Sequence, residues 1–162
     1  NPNVHLTCVG VDCIKLDELI PSKWKSHFTL IDPLIDEPVQ KALRANICIP
    51  SEQVCREYKS ADVFLMPSLM ESFGIVVVEA FAASLPVIAF DIDGVNELVS
   101  NDYNGKLIMR NDADAYLSAM HDLCDVNVRR EQAVNALATA QGYDWSIVVD
   151  EYIEIYRGIR NE

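Results

Sequence analysis

"MESFGIVVVEAFAASLPVIAF", residues 70–90, is the stretch on which the fold turns. Its β-branched run Ile75–Val78 favours a strand by propensity, whereas Ser72, Phe73 and Gly74 ahead of it suit the start of a helix. With Ser72 as cap, a helix beginning near Phe73 or Gly74 has the amides of Phe73, Gly74 and Ile75 as unpaired donors in its first turn. Such an end attracts phosphate through those donors and the helix dipole, without a cation, and Gly74 lets a ligand approach the backbone. The Ile-Val-Val-Val run is then helical against its local preference. Burial against a sheet outweighs propensity differences of under ~1 kcal/mol per residue.

Two acids flank this helix start. At a rise of ~1.5 Å per residue, Glu79 lies about 7 Å along the axis from Gly74, within reach of a ribose diol attached to the bound phosphate. Glu71, on the loop before the helix, faces whatever is attached beyond the phosphates. No Lys or Arg occurs between Lys59 and Lys106, so an anion held by this segment is expected to be held by backbone.

Outward from here, strands alternate with helices. Val4–Gly10 and Phe28–Ile31 read as strands, with helical patterns at Asp17–Leu19 and Pro38–Ala45. Ser51 caps a helix running to about Lys59. Ala61–Met66, stopped by Pro67, and Leu85–Phe90 are short hydrophobic strands. Gly94–Val99 fits a short helix, Asn104-Gly105 a turn and Lys106–Ile108 a strand. Helices follow at roughly 112–124, 127–141 and 145–160. The alternation predicts an α/β fold with a doubly wound, Rossmann-like parallel sheet, residues 1–162 forming a single domain.

Composition narrows the function classes. Half of the 162 residues are hydrophobic, enough for a well-filled core. The formal net charge of −12 opposes nonspecific attraction to nucleic acid or an anionic membrane, and neither a signal peptide nor a membrane span is visible. Cys8, Cys13, Cys48, Cys55 and Cys124 make an odd set with no C-x-x-C pair, which reads as reduced and mostly buried thiols. His5, His27 and His121 lack mutual spacing and read as structural. Asp112 and Asp114 read as solvated helix caps, and Asp91-Ile92-Asp93 as a loop after a strand rather than a metal site. Trp145, Val149, Tyr152 and Tyr156 follow helical spacing, most simply as a core stripe.

The segment "PSLMESFGIVVVEAFAASLPVIAFDIDGVNELVSNDYNGKLI" resembles the donor-binding half of family 4 retaining glycosyltransferases, whose signature is Glu, seven residues, Glu, with Phe-Gly just after the first acid. Pro67-Ser68, Glu71, Phe73-Gly74, Glu79-Ala80 and Leu85-Pro86-Val87 carry it in order, and it extends from about Val4 through "YDWSIVVDEYIEIYR". The resemblance implies the carboxy-terminal half of a GT-B architecture that transfers a sugar from a nucleotide-diphosphate donor with retention. Neither a cofactor nor a metal is expected. By analogy Glu71 is the catalytic acid against the donor sugar, and Ser72, Phe73, Gly74, Ile75 and Val76 hold sugar and diphosphate oxygens. Glu79 binds the ribose, and Ile49 and Pro50 are weaker candidates for contact with the base.

Departures from the family pattern are informative. Ser84 stands where Gly is frequent, Asp93 where the first of two glycines is common and Asn96 where Pro is frequent. The family also has a first strand followed by an Arg and a Lys that bind the diphosphate, and an acceptor-binding domain before that strand. Residues before Val4 cannot supply them. The expectation is therefore a fragment or one subunit of a split enzyme, inactive alone, lacking its first strand and its amino-terminal partner domain. The resemblance places the whole protein in the cytoplasm, with any contact at the inner membrane face made through the absent half. The apolar face of the last helix could cover that half.

Two rivals stand beside this. A phosphoacceptor receiver needs an aspartate at the end of its middle strand, where this chain has Met66-Pro67-Ser68. A noncatalytic nucleotide-sugar module or partner subunit would keep the same fold and the same ligand.

Overall fold

Val87–Phe90 is buried along its whole length, as a strand covered by helices on both faces must be. The computed structural model describes residues 4–10, 13–32 and 50–160, and the chain divides into two compact units, one up to Ser60 and one from Ala61 onward.

In the first unit β1 (Leu6–Val9) pairs in parallel with β2 (Phe28–Ile31), Leu6 opposite Phe28. Between them run two 3-10 helices, Cys13–Glu18 and Ser22–His27. The first carries part of the predicted Asp17–Leu19 helix. His5 reaches the Thr29 hydroxyl at 2.8 Å and His27 the Val4 carbonyl at 2.9 Å, the structural roles expected of them. Helix α1 (Glu52–Ser60) starts as predicted, with the Val54 amide donating to Ser51 Oγ at 3.2 Å. The predicted Pro38–Ala45 helix, Cys48 and Ile49 lie outside the described residues. Of the described cysteines only Cys13 is buried; Cys8 and Cys55 are half-buried and Cys124 is exposed. The expectation of mostly buried thiols therefore fails, Cys124 because it lies in the exposed turn after Asp122.

The second unit is a three-stranded parallel sheet, β3 (Phe64–Met66), β4 (Val87–Phe90) and β5 (Gly105–Ile108), with β4 in the middle. Parallel neighbours require crossovers. Helix α2 (Ile75–Ala82) joins β3 to β4, so the β-branched run is a helix, as argued from its flanks. Within it Val77, Ala80 and Phe81 are fully buried, while Ile75 is exposed. Burying Phe81 and Val77 contributes about 1.5–3 kcal/mol each, more than the propensity deficit of the run.

The other face of β4 presents Ile88 and Phe90, which cluster with Ile108 and with Tyr116, Ala119 and Leu123 of helix α3 (Ala113–Asp122). Tyr116 Oη donates to the Ile88 carbonyl at 2.7 Å, and burial pushes its pKa up. Asp112 caps α3 through the Ala115 amide, as the sequence suggested. Helix α4 (Val126–Gln141) packs beside α2. The buried Asn104 ties the turn before β5 to it, donating to the Leu98 carbonyl at 3.0 Å and to Thr139 Oγ1 at 3.1 Å, while accepting from the Ser100 amide at 2.7 Å.

Two predicted features come out differently. Gly94–Val99 forms successive turns rather than a helix: the Ile92 carbonyl accepts from Val95 and Asn96, and the Val95 carbonyl from Leu98 and Val99. Gly94 at φ +82° breaks the right-handed path at its start. In helix α5 (Trp145–Arg160) the supposed core stripe is exposed, Trp145 at 78% and Tyr156 at 68%. Helical spacing fixes only that these side chains share a face; nothing in the described residues covers it.

Candidate active site

All three strands of the larger sheet point the same way, so the loops after Met66, Phe90 and Ile108 meet at one rim. That rim is where open parallel sheets bind ligands. The loop after β3 contributes Leu69, Met70 and Glu71 to a hollow of about 350 Å³, the loop after β4 Asp91, Ile92 and Asp93, and the end of β5 Arg110. Glu71 therefore does not face open solvent alone. It shares an open surface hollow with two further carboxylates and a guanidinium. Asn96 Nδ2 donates to Asp91 Oδ1 at 3.2 Å and steadies that side of the rim.

Arg110 escaped the sequence reading. The chain carries no cation from Ser60 to Gly105, but β5 returns parallel to β4 and delivers Arg110 to the hollow that Glu71, 39 positions before it, also lines. The signal that could have found it was topological: residues just past consecutive parallel strands converge at one edge.

The helix start is built differently from the prediction. Gly74, not Ser72, is the residue before α2, in left-handed geometry at φ 81°, ψ 47°, and no side chain caps the end. Ser72 and Phe73 form a bend ahead of it. The reason is local packing. Gly94 approaches so closely that a β-carbon on it would lie 2.8 Å from the Ser72 carbonyl oxygen, which fixes the backbone of Ser72 before the helix begins, and a glycine must then make the turn. The first-turn amides are thus those of Ile75 and Val76, which helix geometry leaves without intrahelical acceptors; the Val77 amide is already spent on the Gly74 carbonyl at 2.8 Å. Phe73 is held by an edge-on contact with Tyr143, ring centroids 6.0 Å apart.

Glu79 sits half-buried in the second turn of α2 and is not among the residues lining the hollow. The two acids are therefore separated, one in the rim hollow and one on the helix body. Pro50 lines a second hollow along α1 with Glu52, Cys55, Arg56 and Lys59. Among the described residues no three His, Cys, Asp or Glu side chains gather as a metal-binding group would, and no helix is long and apolar enough to cross a membrane.

A family model described as "Glycosyl transferases group 1" matches residues 1–138. The chain belongs to that family. It is 39% identical over 103 residues, 62% of its own length, to a phosphatidyl-myo-inositol mannosyltransferase of Mycobacterium leprae. It is 34% identical over 122 residues, 75% of its length, to a D-inositol 3-phosphate glycosyltransferase of Corynebacterium urealyticum. It spans 28% and 29% of those two relatives. Its fold matches that of sucrose-phosphate synthase from Thermosynechococcus elongatus with a TM-score of 0.73 at 24% identity, over 97% of this chain and 39% of that one. The α/β, Rossmann-like architecture expected of a GT-B carboxy-terminal half is the one the chain adopts.

Proposed function

We propose that residues 1–162 act together as the donor-binding domain of a family 4 retaining glycosyltransferase, transferring a sugar from a nucleotide-diphosphate donor. The observation that carries this is the pairing of a helix end at Gly74-Ile75-Val76 that no side chain caps with a carboxylate, Glu71, three residues ahead of it in the rim hollow. Departure of a diphosphate places growing negative charge on phosphate oxygens. Preorganised N–H donors at a helix end stabilise that charge at no reorganisation cost.

In this scheme Glu71 lies against the sugar as it gains oxocarbenium character, accepting from its hydroxyls. Glu79 binds the ribose from the helix body, and Ile49 with Pro50 meets the base. Neither a metal nor a cofactor takes part. The acceptor is bound by an amino-terminal domain outside residues 1–162, and the apolar face of α5 is available to seat it. The named relatives act on inositol-containing acceptors; a polyol or glycolipid acceptor is the corresponding proposal here.

Calorimetry of the full-length protein with uridine, guanosine and adenosine diphosphate sugars tests the reading. Binding of one donor, with sugar release only when the whole protein is present, is expected. Donor binding without any turnover in the whole protein would instead make this a noncatalytic nucleotide-sugar module.

A further inference from the structure

Phe73 stands in the bend ahead of α2, and Gly74 turns the chain from it into the helix at φ 81°. A glycine reaches that conformation at no steric cost but leaves it as easily, so the direction of the Ile75 and Val76 amides depends on what restrains its neighbours. Gly94 braces the backbone: a β-carbon on it would lie 3.2 Å from the Phe73 α-carbon. That contact leaves the Phe73 side chain, 44% exposed, to be held from elsewhere. Tyr143, 70 positions later, supplies the hold with its ring set edge to face, the centroids 6.0 Å apart and the planes at 63°, an arrangement that aromatic quadrupoles favour.

Tyr143 is itself firmly carried. It lies in the turn that closes α4, its amide donating to the Ala140 carbonyl at 3.0 Å and that of Gly142 to the Thr139 carbonyl at 3.1 Å. Helix α4 is fixed in turn by its buried Gln132 and Ala136, by the Thr139 hydroxyl bonded to Asn104, and by Asn135 Nδ2 donating to the Tyr103 carbonyl at 3.0 Å. Because Tyr143 keeps 36% of its surface exposed, the ring pair adds little to the core. Its consequence is orientation. We infer that Tyr143 is a positioning residue of the donor site, acting through Phe73 to hold the turn at Gly74 so that the Ile75 and Val76 amides face the diphosphate. This rests on the reading of the protein as a nucleotide-sugar transferase.

The full-length protein is titrated by calorimetry with uridine, guanosine and adenosine diphosphate to find the one that binds. Tyr143→Leu, which keeps an apolar side chain but no ring, should weaken that diphosphate about three- to tenfold and still melt cooperatively. Tyr143→Phe, which keeps the ring, should bind as the parent does. Phe73→Leu should show the same loss as Tyr143→Leu, and adding Tyr143→Leu to it should cost nothing further, since residues that act as one unit are not additive. Parent-like binding by Tyr143→Leu, an equal loss in Tyr143→Phe, a full further loss in the Phe73→Leu background, or a Tyr143→Leu chain that does not fold overturns the inference and leaves the transferase reading standing. Absence of binding by all three diphosphates overturns both.

Discussion

The backbone of Gly94 rests against that of Ser72: a β-carbon on Gly94 would come within 2.8 Å of the Ser72 carbonyl oxygen and 3.2 Å of the Phe73 α-carbon. The turn after β4 thereby braces the bend that leads into α2. Gly94 also holds φ at +82°, a region that costs other L-residues roughly 1–2 kcal/mol. Gly94→Ala should therefore lower stability by about 2 kcal/mol or more. Because the displaced atoms are those ahead of the helix end, it should also weaken nucleoside diphosphate binding. Chemical denaturation and calorimetry on the same variant measure the two losses.

Ser84 offers the reverse experiment. It follows α2 at φ 61°, with its amide donating to the Phe81 carbonyl and that of Leu85 to the Ala80 carbonyl, the bonding of a helix end that favours glycine. The resemblance drawn from the sequence puts a frequent Gly at this place, and the left-handed backbone gives a reason for one. Ser84→Gly relieves the left-handed strain but loosens the unfolded chain, so a net gain of up to about 1 kcal/mol is expected. A thermal melt showing no gain would mean that the strain is relieved elsewhere.

Tyr116 links stability to alkaline pH. Its phenol is buried against β4 and donates to the Ile88 carbonyl, and burial raises its pKa. The fold favours the neutral phenol. Its contribution is complete below the ordinary phenol pKa of about 10 and is lost as pH rises through the raised folded-state value. Tyr116→Phe should cost about 1–2 kcal/mol at pH 7. Above pH 10 the gap between parent and variant should shrink, as read by urea titrations at pH 7, 10 and 11.

The roles proposed for the two acids separate kinetically. In the full-length protein Glu79→Gln should raise the Kd for the donor by about tenfold, the loss of a hydrogen bond to a charged acceptor. Glu71→Gln should lower kcat by on the order of a hundredfold with little change in donor affinity. Steady-state rates alongside calorimetry distinguish these, and equal small effects from both variants would remove the proposed division between sugar and ribose.

Much of the fold was legible because its elements are strongly punctuated. Pro67 stops β3, Leu85-Pro86 precedes β4, Ser51 caps α1 and Asp112 caps α3, each a local signal with a local cause. The helical state of Ile75–Val78 was legible only through its flanks, since propensity alone points to a strand. What could not be read depended on distant packing. Ser72 is an excellent cap by type, yet the close approach of Gly94 moves the helix start to Gly74. Trp145, Val149, Tyr152 and Tyr156 have the spacing of a core stripe, but periodicity is blind to whether a partner surface is present. Arg110 joins Glu71 through the strand order, which no local pattern encodes.

The rim hollow is assembled from three loops, and the turn before α2 is locked by the two glycines Gly74 and Gly94. The two share their supports, because Asp93 adjoins Gly94 and Glu71 adjoins Ser72. An exchange in one of these loops would therefore be felt at the helix end as well, and a lineage could not retune one part without retesting the other.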